Sequence, residues 1–172
     1  QEILFNSRDD SSILTLRNAI KETSQKKGKL IFVGNGASAS LASHAATDFT
    51  KQAKITSIAF NVHNLITALS NDYGYQNWVS KALEFYADKG DTIILISSSG
   101  ASPNIINGTK KANEMGLKVI SFTGFKKLNA VSKNSYLNFW VNSNEYNIIE
   151  MAHHVWLVSL VDYIDELKLN KS

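Results

Sequence analysis

The stretch Thr92-Ile93-Ile94-Leu95-Ile96-Ser97-Ser98-Ser99-Gly100-Ala101-Ser102-Pro103-Asn104 decides how this chain folds. Thr92 to Ile96 is β-branched or apolar at every position and is led in by the turn Lys89-Gly90-Asp91. A short run with no polar face reads as a strand covered on both sides. Six small residues follow, and then Pro103, which suits the first position of a helix with Ser102 as its N-cap. Four hydroxyls and several backbone amides in six residues make poor core and poor helix. They are good material for hydrogen-bonding the oxygens of one phosphate. The plainer alternative is a capped helix start, with the other serines filling a turn.

The same alternation continues on both sides of this segment. Upstream, Ile13 to Lys26 has a helical apolar face and stops at Gly28. Leu30 to Val33 reads as a buried strand, Ser38 to Gln52 as an Ala-rich helix and Ile55 to Phe60 as a second strand. Asn64 to Ser70 and Tyr75 to Ala87 read as helices. Downstream come a helix at Asn104 to Met115, strands at Leu117 to Phe122 and Tyr136 to Val141, and a closing helix at Glu145 to Leu167. The centre of that last helix, Val155 to Val161, is nearly apolar all round, which predicts burial, partly against another subunit. Strands alternating with helices predict an α/β fold with a parallel sheet covered on both faces. Such sheets bind ligands at the carboxyl ends of their strands, where strand order reverses.

Composition narrows the function. The 172 residues suffice for one domain, expected to span 1–172, with a first helix near 10–27 and a last one near 145–168. With no cysteine, thiolate metal sites and cysteine nucleophiles are excluded, and a reducing compartment, the cytoplasm, is expected. No stretch resembles a signal peptide or an 18-residue apolar span, so no membrane partner is expected. The chain opens on Gln1 rather than Met, so some N-terminal sequence is expected to be missing. A net charge of +3, spread over scattered pairs such as Lys26-Lys27, Lys110-Lys111 and Lys126-Lys127, predicts solvated faces and no direct nucleic-acid partner.

A second small-residue loop, Gly34-Asn35-Gly36-Ala37-Ser38, also joins a buried strand to a helix. Small residues let an anion approach the backbone, and the helix start offers amide N–H groups and a favourable dipole. Ala39 stands where a dinucleotide fingerprint needs its third glycine, and no P-loop lysine follows. Two such loops at strand ends of one sheet point to a shared site.

These motifs resemble the sugar isomerase (SIS) domain family, and within it the phosphoheptose (sedoheptulose-7-phosphate) isomerase branch. The carrying segments are GNGASAS at 34–40, SHAATD at 43–48, ALSNDYGY at 68–75, ISSSGASPN at 96–104 and NIIEMAHH at 147–154. The resemblance implies a flavodoxin-like three-layer sandwich with a five-stranded parallel sheet, and a homotetramer (or dimer) with sites between subunits. It implies that Ser97, Ser98, Ser99 and Ser102 hold a phosphate. Asn35, Gly36, Ala37 and Ser38 match the family's first substrate loop, and Asn71 and Asp72 its pair near the sugar hydroxyls.

Aldose–ketose isomerisation moves a proton between C1 and C2 through an enediol. It needs a base at carbon and an acid at the carbonyl oxygen. The resembled enzymes use a glutamate on the second helix and a histidine on the last one. A zinc ion can be held there by a histidine and that glutamate, with a glutamine and the late histidine. Here His44 matches the first histidine, and Asp48, one turn on, replaces the glutamate. A gap-free match through Glu150-Met151 puts Ile149 at the glutamine and Leu157 at the late histidine. A slip of one residue gives Glu150 and Val158 instead. Neither Leu157 nor Val158 can transfer a proton. His153 and His154 lie one turn before Leu157, and Glu150 could orient either.

The expected function is therefore isomerisation of a sugar phosphate such as sedoheptulose 7-phosphate. Its catalytic candidates are Asp48, Glu150, His153 and His154. The alternative is a non-catalytic sugar-phosphate sensor, or an SIS protein that associates with a replication initiator. No cofactor is required by either reading; zinc is the one metal candidate, through His44, Asp48 and Glu150. His63 is read as a surface or rim residue. Tyr73, Tyr75 and Trp78 are read as packing residues, with Tyr73 at the rim of a sugar site as the second option.

Overall fold

β3, Thr92–Ser97, is buried at every position and sits at the centre of the molecule. Its side chains alternate between two cores. Ile94 and Ile96 enter one; Ile93 and Leu95 enter the other. β1, Leu30–Gly34, behaves the same way, with Leu30 and Phe32 on the first face and Ile31 and Val33 on the second. This is why both strands read as unbroken apolar runs: a strand covered on both sides has no polar face to display.

The computed structural model describes residues 10–169. A five-stranded sheet in the order β2-β1-β3-β4-β5 is parallel throughout, with β2 at Ser57–Ala59, β4 at Lys118–Thr123 and β5 at Leu137–Trp140. Helices α1 (Asp10–Gln25), α2 (Ala37–Lys51) and α6 (Tyr146–Leu169) cover one face through residues such as Ile20, Phe49 and Leu160. Helices α3 (His63–Tyr73), α4 (Trp78–Tyr86) and α5 (Pro103–Glu114) cover the other through Leu69, Trp78 and Ile105. The result is the parallel sheet covered on both faces that the sequence pattern predicts, in the three-layer, flavodoxin-like form that the resemblance implies. Strand order reverses between β1 and β3, so the loops that leave these two neighbours lie side by side.

Several boundaries differ from the sequence reading. The edge strand β2 spans three residues rather than Ile55 to Phe60, although hydrogen bonds from Leu30 N to Thr56 O (2.9 Å) and from Phe60 N to Phe32 O (3.1 Å) bracket it. The expected helix from Tyr75 to Ala87 is broken: Tyr75–Asn77 is a 3-10 turn, and α4 starts at Trp78. Asn77 competes with the backbone there, its Nδ2 donating to the Tyr73 carbonyl at 2.9 Å. Helix α3 runs on to Tyr73, so Asn71 and Asp72 lie on its last turn rather than in a loop.

Candidate active site

The two small-residue loops meet at the reversal point. Gly36 has φ 56° and ψ −125°, a conformation that side chains resist, and it turns the chain from β1 into α2. Gly100 has φ 59°, and a Cβ there would lie 2.1 Å from Asn129 Oδ1. That oxygen accepts hydrogen bonds from the amides of Val131 and Ser132, so the serine loop closes tightly over the segment after β4. The loops are also tied to each other. Asn35 Nδ2 donates to Asn104 Oδ1 at 3.0 Å, and Asn104 Nδ2 donates back to Asn35 Oδ1 at 2.9 Å.

Within the serine loop, Ser97 and Ser98 are buried, and Ser99 and Ser102 are half-buried. Ser98 Oγ is enclosed and has no hydrogen-bond partner. A buried orphan hydroxyl is costly unless something satisfies it. Ser102 occupies the N-cap position with Pro103 at the helix start, as expected, but its side chain makes no capping hydrogen bond. The Gly100 amide donates to the Ser97 carbonyl at 3.0 Å, so Ser98 and Ser99 do fill a turn, but the turn and cap leave the Ser98 and Ser102 hydroxyls without a capping role. Ser99 Oγ accepts from the Ala101 amide at 3.2 Å.

Beside the first loop, Ala37, Ser38, Ser40, Leu41, His44, Glu150, Met151 and His154 line a cleft of about 300 Å³. His44 Nε2 lies 2.9 Å from Asp48 Oδ2, and the rings of His44 and His154 meet edge to face at 5.4 Å. The cleft thus joins α2 to α6. Of the two α6 histidines, His154 faces it. His153 is fully buried against Phe122 and Trp156, with Nε2 donating to the Thr123 carbonyl at 3.2 Å and Nδ1 unpartnered. Burial pushes the His153 imidazole down to about 4, outweighing the Thr123 hydrogen bond, which works the other way. It is neutral at pH 7, a core residue away from the cleft.

Helix rotation explains the split. Successive residues turn by about 100°, so the setting that points Leu157, Leu160 and Val161 into the core carries His153 inward with them. His154 is left facing α2. Ile149 is also fully buried, and a Cβ added at Gly124 would come within 2.4 Å of its Cδ1. In the gap-free match, the two positions where the resembled enzymes carry glutamine and histidine, Ile149 and Leu157, are therefore packed hydrocarbon; after a slip of one they are the half-buried Glu150 and Val158. Among the described residues, no three His, Asp or Glu side chains gather closely enough to hold a metal ion. His44 and Asp48 pair, but Glu150 does not complete a ligand set with them. The zinc arrangement does not fit this donor set.

Asn71 and Asp72 are exposed and bond to each other (2.9 Å) rather than to either loop. His63 is exposed at the start of α3. Trp78 is core, as expected. Tyr73 packs on Phe85, whereas Tyr75 reaches the site, its hydroxyl donating to Asn35 Oδ1 at 3.2 Å. Asn104 and Tyr75 are the functional candidates that sequence reasoning missed. Both lay inside quoted motifs, but nothing local distinguishes a clasping amide from a helix-start asparagine.

Fold and site together define a doubly wound α/β domain whose two small-residue loops meet at its topological switch point. The sequence profile of the SIS domain family matches residues 4–124, and the chain belongs to that family. Among its relatives, the phosphoheptose isomerase of Thermodesulfovibrio yellowstonii is 35% identical over 155 residues, covering 87% of this chain and 77% of that protein. That of Aliarcobacter butzleri is 35% identical over 152 residues, 84% and 79% of the two chains. The solved phosphoheptose isomerase of Neisseria gonorrhoeae superposes with a TM-score of 0.84 at 26% identity, covering 91% of this chain and 86% of the other.

Proposed function

We propose that this protein is an aldose–ketose isomerase acting on a sugar phosphate such as sedoheptulose 7-phosphate. The observation that carries the reading is the conjunction of the serine loop, with its orphaned Ser98 hydroxyl, and the adjoining cleft that gathers His44, Glu150 and His154. The named activity of the relatives supports it. In this reading Ser97, Ser98, Ser99 and Ser102, with the α5 amides, hold the phosphate. Gly36, Ala37 and Ser38 let the sugar approach the α2 backbone.

The chemistry then falls to the cleft and to Asp48, which does not line it but pairs with its His44. A carboxylate, Asp48 or Glu150, removes the proton next to the carbonyl, and His154 serves as the proton partner at the oxygen. His44, held by Asp48, lies against His154 and can position it. No step is assigned to a metal. The protein acts in the cytoplasm as a homotetramer or dimer, with the exposed apolar side chains Ile148, Met151 and Val155 of α6 as contact surface. Among the described residues no helix is long and apolar enough to cross a membrane.

Leu157 in the core favours a second reading, a non-catalytic sugar-phosphate-binding regulator or an SIS protein associating with a replication initiator. Incubation with a panel of sugar phosphates in deuterated water separates the two. An isomerase incorporates deuterium at C1 or C2 of its substrate. Binding without exchange by any sugar supports the regulator instead.

A further inference from the structure

Helix α5 begins at the serine loop and carries two asparagines three residues apart, Asn104 and Asn107, on one side. Asn104 is fully buried and exchanges two hydrogen bonds with Asn35 of the first loop. The Tyr75 hydroxyl donates to the same Asn35 Oδ1. One turn further along α5, Asn107 Nδ2 donates to the Gln76 carbonyl at 3.0 Å and to Asn77 Oδ1 at 3.1 Å. The helix that starts at the phosphate end of the cradle therefore grips both the first loop and the 3-10 turn Tyr75–Asn77.

This has a consequence for Asn35. A side-chain amide oxygen has two lone pairs, and both are taken, by Asn104 and by Tyr75. Its nitrogen is already engaged by Asn104, which leaves one N–H for anything else. A ligand hydroxyl seeking an acceptor finds none on this side chain.

We infer that Asn35, Asn104 and Tyr75 form a clasp that sets the first loop and the Tyr75 turn around the sugar, and that Asn35 is a positioning residue rather than a hydrogen-bond acceptor for substrate. The inference rests on the phosphosugar reading above. The reciprocal amide pair suits the task because each partner supplies one donor and one acceptor. The pair is neutral, so it adds no charge beside a dianion. The clasp uses none of the serine-loop hydroxyls. Affinity for the phosphate group and affinity for the remainder of the sugar are therefore separable.

Calorimetric titration with inorganic phosphate and with sedoheptulose 7-phosphate tests this on the unaltered protein, Asn104→Ala and Tyr75→Phe. Tyr75→Phe removes one hydroxyl from an exposed ring. It is expected to weaken the sugar phosphate roughly fivefold while inorganic phosphate stays within about twofold. Asn104→Ala is expected to weaken the sugar phosphate at least about tenfold, again with phosphate little changed. Equal losses on both ligands, together with a lowered melting temperature, would mean a purely structural role and overturn the clasp. Unchanged sugar-phosphate affinity in Tyr75→Phe also overturns it, even if Asn104→Ala does not fold. If the unaltered protein binds neither ligand, the phosphosugar reading fails and takes the clasp with it, an outcome distinct from the other two.

Discussion

His153 and His154 are neighbours in the chain and opposites in environment. His153 has no exposed surface, and burial holds it at about 4 against an ordinary value of 6.5. The unfolded chain therefore binds a proton that the folded one refuses as pH falls between these values. Stability from this residue is whole above about pH 6.5 and is lost as pH drops toward 4, amounting to about 3 kcal/mol. Urea denaturation of the parent and of His153→Leu at pH 7 and pH 4.5 checks it; the variant should lose less stability on acidification. His154 faces the cleft and carries a different expectation. His154→Ala should slow isomerisation by about 100-fold or more, the usual range for a lost acid–base partner, with the fold intact. Rates from deuterium incorporation measure it, and an unchanged rate would remove His154 from the mechanism.

At the scale of elements, the serine loop depends on what lies behind it. Gly100 and Asn129 touch so closely that no side chain fits between them, and the positive φ at Gly100 adds strain to any replacement. Gly100→Ala is expected to push the loop away from the segment after β4 and abolish binding of the sugar phosphate. The sheet, built on β1 and β3, should survive, giving an unchanged far-UV circular dichroism spectrum alongside a flat calorimetric titration. Ser99→Ala is expected to act more gently: in the proposed reading it removes one hydroxyl from a charged phosphate, which should weaken binding about tenfold. In both cases titration with inorganic phosphate shows whether the loss lies in the phosphate end of the site.

At the scale of the whole molecule, the last helix leaves an apolar stripe uncovered. Ile148, Met151 and Val155 recur at helical spacing on α6 and are 58%, 61% and 38% exposed, while the opposite side of the helix is core. Met151 also lines the cleft, so whatever covers the stripe adjoins the site. If a second copy covers it, Ile148→Asp combined with Val155→Asp should reduce the mass measured by light scattering to that of one chain. Activity should fall with it, since the cleft would lose its outer wall.

The alternation of the sequence by itself determined the architecture. Short unbroken runs at Leu30 to Val33 and Thr92 to Ile96, bounded by turn residues, read as strands covered on both sides, and the small-residue turns leading from them into helices then lie at the carboxyl edge of a parallel sheet. Edge strands and the break at Asn77 were less legible. Partly buried β2 has a weaker pattern, and the helix is interrupted by one side chain reaching a carbonyl. The division of labour between His153 and His154 was decided by the tertiary structure alone. Adjacent helical residues point about 100° apart, and nothing local states which of the two directions meets the sheet. The packing of Ile149, Leu157, Leu160 and Val161 sets the rotation of α6, and that rotation places one histidine in the core and the other opposite His44. The same holds for Asn35 and Asn104, which are 69 residues apart and become partners only because β1 and β3 are neighbours in the sheet.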